Sequence, residues 1–274
     1  MPIQIDSTVT LNNGVEIPRF GLGVWKANQQ ETRDSVLWAL ECGYRLIDTA
    51  QIYGNEAVIG ETLQTSPWKR DEIFITTKLW TADHSKKNCL QAFDKSLSKL
   101  RLDYVDLYLS HFPVTGKRLE TWKTMETLLQ SDRCRAIGVS NYTIEHLEEL
   151  IRETDIVPAI NQVEFHPFLY QKELLQYCRE KGIQLEAYSP LTHGVKLGDP
   201  TISQIATSHK KSVAQVMIRW GLQHNLVVIP KSVTKNRITE NSEVFDFSLS
   251  EEEMKTLDNL DENLRTCWDP TGTP

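Results

Sequence analysis

Short runs of apolar residues recur along the chain, and most of them end in polar or charged residues. Eight such runs stand in order at 20–24, 45–50, 74–79, 106–111, 135–141, 159–165, 183–190 and 226–232. Their length and composition are typical of buried β-strands, and segments with helical periodicity separate them. Eight strands that alternate with helices close most simply into a (β/α)8 barrel. An open doubly wound sheet is the alternative fold.

The helices between these runs are predicted from residue spacing and from start signals. Segment 90–100 has apolar residues three or four positions apart, as on one face of a helix. Asp199 followed by Pro200 is typical of a helix N-terminus, and Ser212 with Gln215 has the spacing of a capping box. These signals place helices between the strands, as a barrel requires.

Residues 8–18 have a different pattern. Two short alternating runs flank Asn12, Asn13 and Gly14, which favour a tight turn, so we expect a β-hairpin that caps the barrel. No linker rich in Pro, Gly or Ser interrupts the pattern that follows. Residues 1–274 are therefore expected to form a single barrel domain.

Four residues with reactive side chains lie at or just after the ends of three neighbouring strand runs, namely Asp48, Tyr53, Lys78 and His111. Because the carboxyl ends of barrel strands face one mouth, the four are expected to share a pocket. There the Lys78 ammonium would lower the pKa of the Tyr53 phenol, and Asp48 would hold Lys78 in place. His111 would offer a ring nitrogen to a substrate oxygen. Such a set describes a general acid beside a polarised carbonyl.

Each of the four also has an alternative interpretation as a rim residue whose polar tip lies in water. Against this, Asp48, Lys78 and His111 adjoin apolar runs, where an unpaired charge would be costly. Four such residues on three neighbouring strand ends favour a shared chemical role.

The charge and the cysteines narrow the class of protein. A net charge of -7 and a pI of about 5.6 argue against a nucleic-acid partner and favour a small molecule. The five cysteines show neither a C-x-x-C pair nor metal-ligand spacing, which favours structural thiols in a reduced compartment. The N-terminus lacks a signal-peptide pattern, and no run of eighteen apolar residues occurs. We therefore expect a cytoplasmic monomer with no metal and no membrane partner.

Segment 229–241 predicts a phosphate site. Lys231 and Ser232 end a strand run, and a basic turn leads to Arg237 near the start of a helix, whose N–H groups favour anions. A solvated basic turn is the alternative. Gly21 and Gly23 resemble the start of a dinucleotide fingerprint but lack its third glycine, so Gly23 more simply permits the close approach of a ligand or a neighbouring strand.

Other strand ends favour a nicotinamide near the same mouth. The ring of Tyr188 can stack on a flat heterocycle, and Ser140, Asn141 and Gln162 can form hydrogen bonds with a carboxamide. Each residue alone is equally consistent with ordinary loop capping, but together they indicate a bound nicotinamide.

Motifs along essentially the whole chain are similar to those of the aldo-keto reductases. They are GLGVW (21–25), RLIDTAQIYGNE (45–56), TTKLW (76–80), DLYLSHFP (106–113), IGVSNY (137–142), NQVEFHP (161–167), AYSPL (187–191) and IPKSV (229–233). The resemblance implies a (β/α)8 barrel that binds NADPH in extended form without a Rossmann domain. It also implies a catalytic tetrad of Asp48, Tyr53, Lys78 and His111, with Tyr53 as the proton donor.

The resemblance assigns further positions to the cofactor and the substrate. The residues implied for the cofactor are Ser140, Asn141 and Gln162 at the carboxamide, Tyr188 under the nicotinamide, Ser189 and Leu191 along the pyrophosphate, Lys231, Ser232 and Arg237 at the 2′-phosphate, Glu240 and Asn241 beside the adenine, and Gly23 without a particular contact. Trp25, Trp80 and His111 would border the substrate. The activity implied is NADPH-dependent reduction of aldehydes and ketones to alcohols.

Two departures from many relatives bear on specificity. Val24 stands where those relatives have a threonine, which removes one hydroxyl contact to the cofactor. The segment after the seventh run and the tail after Asp261 are short, which implies an open pocket with broad specificity for aldehydes, dicarbonyls such as methylglyoxal, and keto-sugars. In this the chain is similar to short microbial and protist members of the prostaglandin F synthase, diketo-gluconate reductase and methylglyoxal reductase types.

Two other functions are open to a barrel of this kind. A cofactor-binding regulatory or structural protein is one, because fold alone does not give function. A metal-dependent hydrolase is the other, but it needs clustered ligands at the strand ends, and the seven histidines show no H-x-H pair.

Overall fold

The computed structural model describes residues 3–273 and contains an antiparallel hairpin followed by eight parallel strands with helices between them. The hairpin strands are β1 (Thr8–Thr10) and β2 (Glu16–Pro18). The parallel strands are β3 (Leu22–Gly23), β4 (Leu46–Asp48), β5 (Phe74–Leu79), β6 (Val105–Ser110), β7 (Cys134–Ser140), β8 (Ile160–Glu164), β9 (Gln184–Tyr188) and β10 (Val227–Val228). The helices are α1 (Gln29–Glu41), α2 (Glu56–Thr65), α3 (Lys86–Leu100), α4 (Arg118–Gln130), α5 (Ile144–Glu153), α6 (Lys172–Glu180), α7 (Pro200–His209), α8 (Val213–Gln223), α9 (Lys235–Ser242) and α10 (Glu251–Asp258).

The parallel strands follow one another in sequence order from β3 to β10, and the first and last strands meet. Parallel bridges join Phe20 to Val228 and Gly23 to Lys231. A Cβ atom at Gly23 would lie 3.2 Å from the Ile229 carbonyl oxygen, so glycine permits this close approach. The predicted (β/α)8 barrel is confirmed, and the open doubly wound alternative is wrong because the sheet closes on itself.

An apolar core fills the inside of the barrel below the site. It includes Leu46, Phe74, Leu107 and Ile160, whose strands point alternate residues inward. The hairpin contributes its buried residues to the same cluster, of which Ile17 has no exposed surface. The predicted hairpin cap is therefore present, and it plugs the end of the barrel opposite the carboxyl ends of the strands. A second, larger core lies between the strands and the surrounding helices.

The predicted helix starts are confirmed. The Asp199 side chain accepts a hydrogen bond from the Ile202 N–H, and Ser212 forms a reciprocal capping box with Gln215. The last strand differs from its prediction, since regular pairing covers Val227–Val228 rather than 226–232. Pro230 has no N–H to donate, which limits ladder pairing beyond that point. Among residues 3–273, no helix is both long enough and apolar enough to cross a membrane.

Candidate active site

A cavity of about 1220 Å³ opens at the carboxyl ends of the barrel strands. It exceeds the usual range for small-ligand pockets, about 300–1,000 Å³, and so has room for a large cofactor. The predicted site residues that line it are Gly23, Trp25, Asp48, Tyr53, His111, Ser140, Asn141, Gln162, Tyr188, Ser189, Leu191, Lys231, Ser232, Arg237, Glu240 and Asn241. The two predicted residues outside this lining are Lys78, which is buried against Asp48 and Tyr53, and Trp80, whose ring lies 5.3 Å from that of His111.

Lys78 is buried at the base of the cavity and binds Asp48. Its side chain has no exposed surface, and its Nζ donates to the Asp48 Oδ1 at 2.6 Å and to the Thr49 carbonyl oxygen at 2.8 Å. The third neighbour of Nζ is the Tyr53 hydroxyl at 3.5 Å. The ammonium is thus fixed by a carboxylate and a carbonyl and reaches the phenol, which is the arrangement predicted from the sequence.

The pKa of the Tyr53 phenol is raised, whereas the sequence predicts that it is lowered. Burial raises the pKa of the Tyr53 phenol well above its ordinary value, and the charges of Asp48, Cys267 and Glu186 raise it further. Asp48 pairs with Lys78 but also lies near the phenol, and burial together with this carboxylate outweighs the attraction of the ammonium for a phenolate. The phenol consequently keeps its proton at neutral pH and can act as a donor.

His111 follows β6 and faces the phenol. Its ring lies 5.6 Å from that of Tyr53 in an edge arrangement and 5.3 Å from the ring of Trp80. Burial lowers the pKa of His111 well below its ordinary value, and the Lys78 charge and His84 lower it further. The imidazole is therefore neutral at physiological pH, with one nitrogen that donates a hydrogen bond and one that accepts.

Gln162 joins two carboxyl groups inside the barrel. Its Nε2 donates to the Asp48 Oδ2 at 2.8 Å and to the Glu186 Oε2 at 3.0 Å. Both amide hydrogens of Gln162 are bound to these two carboxyl groups. Its side-chain oxygen is therefore left as a hydrogen-bond acceptor in the cavity wall. Glu186 was not identified from the sequence. Its position two residues before Tyr188 on the same strand was the available signal, because alternate residues of a strand share a face.

The residues predicted for the nicotinamide are bound to one another. The Tyr188 hydroxyl donates to the Asn141 Oδ1 at 2.7 Å, and the Asn141 Nδ2 donates to the Ser140 Oγ at 3.1 Å. Asn141 and Ser189 have positive φ angles of 64° and 46°, which are uncommon for residues with side chains and recur at ligand sites. These bonds hold the polar groups in place before any ligand binds.

The far end of the cavity carries the predicted phosphate residues. Lys231 and Arg237 are exposed, and among residues 3–273 neither forms a salt bridge. Ser232 is buried beside them, and α9 begins at Lys235 without a side-chain cap from Thr234. Free cations, a hydroxyl and uncapped helix N–H groups are the partners that a phosphate monoester requires. This end therefore fits the 2′-phosphate of NADP(H).

The C-terminal tail covers one side of the cavity, and sequence reasoning missed it. Thr266, Cys267 and Trp268 line the wall. The Trp268 ring lies 5.4 Å from that of Trp80 and 6.4 Å from that of His111. A tryptophan in a short polar tail was the available signal, since aromatic side chains often line ligand pockets.

The fold and this site together define a barrel oxidoreductase. The Tyr53 phenol and the residues suited to a dinucleotide line the same cavity. Among the described residues, no group of three or more His, Cys, Asp or Glu side chains is placed to hold a metal ion. The sequence profile of the Aldo/keto reductase family matches residues 18–262. The chain belongs to this family, and it is an NADP-dependent oxidoreductase.

Individual relatives agree with this assignment over nearly their whole length. The chain is 51% identical to a glyoxal reductase of Bacillus subtilis over 98% of each protein. It is 46% identical to a 9,11-endoperoxide prostaglandin H2 reductase of Trypanosoma cruzi, covering 96% of this chain and 94% of that protein. A solved structure of a Bombyx mori aldo-keto reductase in complex with NADP is 36% identical and superposes with a TM-score of 0.91, covering 97% of this chain and 95% of that one.

Proposed function

We propose that this protein reduces aldehydes and reactive ketones to alcohols with NADPH, and that Tyr53 is the proton donor. The observation that carries the proposal is the position of the Lys78 Nζ, 2.6 Å from the Asp48 carboxylate and 3.5 Å from the Tyr53 hydroxyl, at the base of the cavity. A proton donor that is neutral and in contact with a fixed cation suits a reaction in which a carbonyl oxygen gains negative charge.

The residues would act in a defined order on a bound carbonyl compound. When bound, NADPH supplies the hydride that forms the new C–H bond at the carbonyl carbon. The Tyr53 hydroxyl would donate a hydrogen bond to the carbonyl oxygen and transfer its proton as that oxygen gains charge. The Lys78 ammonium would stabilise the resulting phenolate until it regains a proton from water. The neutral His111 imidazole would orient the oxygen through an N–H donor.

Small carbonyl compounds are the proposed substrates, including aldehydes, dicarbonyls such as methylglyoxal, and keto-sugars. Trp25 and Trp268 provide flat apolar walls at the open end of the cavity, with the Trp80 ring against that of Trp268. Such walls offer few directed polar contacts, so they accept many shapes. The names of the glyoxal and prostaglandin H2 reductase relatives are in keeping with small and larger carbonyl or peroxide substrates.

Tyr53→Phe tests the proton donor directly. Turnover of methylglyoxal should fall by about 10²–10⁴-fold, because a general acid contributes on that scale, while NADPH binding is retained. Stopped-flow turnover and quenching of tryptophan fluorescence measure the two quantities. Glu148→Gln, on the exposed face of α5 and outside the cavity lining, is the control for general damage. Wild-type turnover by Tyr53→Phe would show that Tyr53 is not the donor.

Preference for NADPH over NADH is proposed to rest on the free cations at the far end of the cavity. Arg237→Ala should raise the Kd for NADPH by about tenfold or more and leave the Kd for NADH nearly unchanged, because only NADPH carries the 2′-phosphate. Lys235→Ala is a matched control, since its Nζ pairs with Glu41 at 3.3 Å. Equal losses for both cofactors would reject this role for Arg237.

We also propose that the protein is a cytoplasmic monomer and that residues 1–274 form one domain. The one-domain proposal is supported by the closure of a single barrel through the bridges from Phe20 to Val228 and from Gly23 to Lys231. Light scattering of the purified protein measures its mass in solution, and cell fractionation measures its location. A dimer mass or a membrane fraction would overturn the respective proposal.

A further inference from the structure

Glu186 is a fully buried carboxyl group that the proposed reaction does not use. It has no exposed surface, its Oε2 accepts from the Gln162 Nε2 at 3.0 Å, and its Oε1 has no hydrogen-bond partner among the described residues. A carboxylate in such a place would lose its hydration and regain only one hydrogen bond, which is costly. The surroundings therefore favour the neutral acid.

The groups that face Glu186 belong to four separate elements. Asp48 on β4 and Lys78 on β5 form the ion pair, Gln162 on β8 bridges to Asp48, and Tyr53 lies in the turn after β4. The cluster has one cation and two carboxyl groups, so it is neutral when Glu186 is protonated and carries one negative charge when Glu186 is ionised. A single proton on Glu186 sets the charge of the cluster.

The strand geometry places this proton under the cavity. Glu186 and Tyr188 are two residues apart on β9 and face the same side of the strand, so their Cα atoms are about 6.6 Å apart. Gln162 and Tyr188 line the cavity directly above. Burial and then the Asp48 charge raise the pKa of Glu186, Gln162 and Lys78 oppose the shift, and the net pKa is about 8.

We propose that Glu186 is a proton-linked positioning residue that adjusts the relative affinity for oxidised and reduced cofactor. Glu186 would keep its proton with the uncharged ring of NADPH bound and would release it when the cationic ring of NADP⁺ binds. A nearby cation favours the carboxylate form, since opposite charges shift a pKa toward ionisation. The inference rests on the proposed function, because it requires the nicotinamide to lie against Tyr188 and Gln162.

The sign of the effect follows from linkage. If NADP⁺ favours ionised Glu186, raising the pH favours NADP⁺ binding, because the proton no longer has to be displaced. The ratio of the Kd for NADP⁺ to the Kd for NADPH should then fall as pH rises through about 8. Titration of the 2′-phosphate cancels in this ratio because both cofactors carry that group.

The experiment measures both dissociation constants by fluorescence across this pH range for wild type and Glu186→Gln. In wild type the ratio should fall about tenfold, which corresponds to a difference of one pKa unit between the two complexes. In Glu186→Gln the ratio should be independent of pH. Glu148→Gln, which removes an exposed carboxylate of α5 outside the cavity lining, should keep the wild-type slope.

Calorimetry of the wild type in buffers of different ionisation enthalpy provides a second measurement that does not depend on the variant folding. NADP⁺ should release protons on binding at neutral pH and NADPH should not, and the infrared band of a buried protonated carboxyl should disappear with NADP⁺. A ratio that is flat in wild type, or a slope that persists in Glu186→Gln, overturns the inference while cofactor binding stands. Failure of both cofactors to bind would overturn the proposed function itself.

Discussion

Lys78 is a charged residue without exposed side-chain surface, and this burial is stable only because of its partners. The Asp48 carboxylate at 2.6 Å and the Thr49 carbonyl oxygen at 2.8 Å satisfy the ammonium. Removing one member of such a buried pair typically costs about 3–5 kcal/mol, because the other charge is left without compensation. Buried ion pairs of this type contribute little net stability, because the cost of desolvation offsets their attraction, so the proposed proton transfer is the role that we assign to this pair.

His84 lies close to this cluster and should make the protein sensitive to acid. Both ring nitrogens are buried without a partner among the described residues, and burial lowers the pKa of His84 from 6.5 to about 4. Between these values the unfolded histidine binds a proton and the folded one does not. The free energy of unfolding should therefore decrease as pH falls through this window, by up to about 1.4 kcal/mol per pH unit.

Urea denaturation at several pH values measures this slope. His84→Gln removes the titrating ring and should flatten the acid limb. His209→Gln is the control, since the His209 Nε2 has the Glu253 carboxylate as a partner at 2.8 Å. An unchanged slope in His84→Gln would mean that another group controls acid stability.

At the scale of elements, the ends of the strands decide the shape of the site, and β8 also anchors the tail. The Glu164 carboxylate at the end of β8 accepts from the Thr266 and Cys267 N–H groups at 2.8 and 3.1 Å and pairs with His166 at 3.2 Å. Burial raises the pKa of Glu164, but the hydrogen bonds from His166 and Thr266 outweigh it and leave the pKa lowered. Glu164 thereby holds the segment that carries Trp268 against the cavity.

Glu164→Gln should loosen this tail without moving the acid cluster. The amide has one acceptor oxygen in place of two, so at least one tail N–H loses its partner. The KM for an aromatic aldehyde should rise by about tenfold, equivalent to ~1.4 kcal/mol from a weakened charge-assisted bond, with little change in the rate of single turnover. Steady-state kinetics and hydrogen exchange of residues 264–270 measure the two effects.

Glu148→Gln on the exposed face of α5 serves as the control and should change neither quantity. If Glu164→Gln lowered the rate of single turnover and left the KM unchanged, the tail would not be a substrate wall.

At the scale of the whole molecule, stability and chemistry lie at opposite ends of the barrel. The hairpin fills the amino end of the strands through Ile17 and Leu11, and the cavity lies at the carboxyl end. The apolar cluster that includes Leu46, Phe74 and Ile160 lies between the hairpin and the cavity and separates them. Changes to the hairpin are thus expected to act on folding, and changes at the carboxyl ends on function.

Ile17→Ala tests this separation. It should lower the free energy of unfolding by about 2–5 kcal/mol, because the side chain has no exposed surface and a cavity would remain. The KM and kcat should stay near wild type. Val9→Ala, on the partly buried edge of the same cluster, should cost less. Thermal unfolding with assay of the folded variants measures both quantities, and a large loss of kcat with unchanged stability would refute the separation.

The eight strands and their order were predictable because each run combines strand composition with regular alternation against helices, and a parallel sheet of eight closes on itself. The place of Asp48, Lys78 and Gln162 in one pocket followed from their positions at strand ends. The directions of the pKa shifts in this pocket could not be predicted from those positions. Tyr53 was expected to have a lowered pKa, and burial raises it instead.

The sequence by itself determined the periodicities, the caps, the hairpin and the reactive groups at the strand ends, because these depend on neighbours along the chain. Only the tertiary structure decided which distant groups meet. It brought Glu186 within 3.0 Å of the amide that binds Asp48, and it brought Trp268 to the wall of the cavity. Burial, contact distance and the electrostatic environment are properties of the packed molecule, and they depend on residues far apart in the chain.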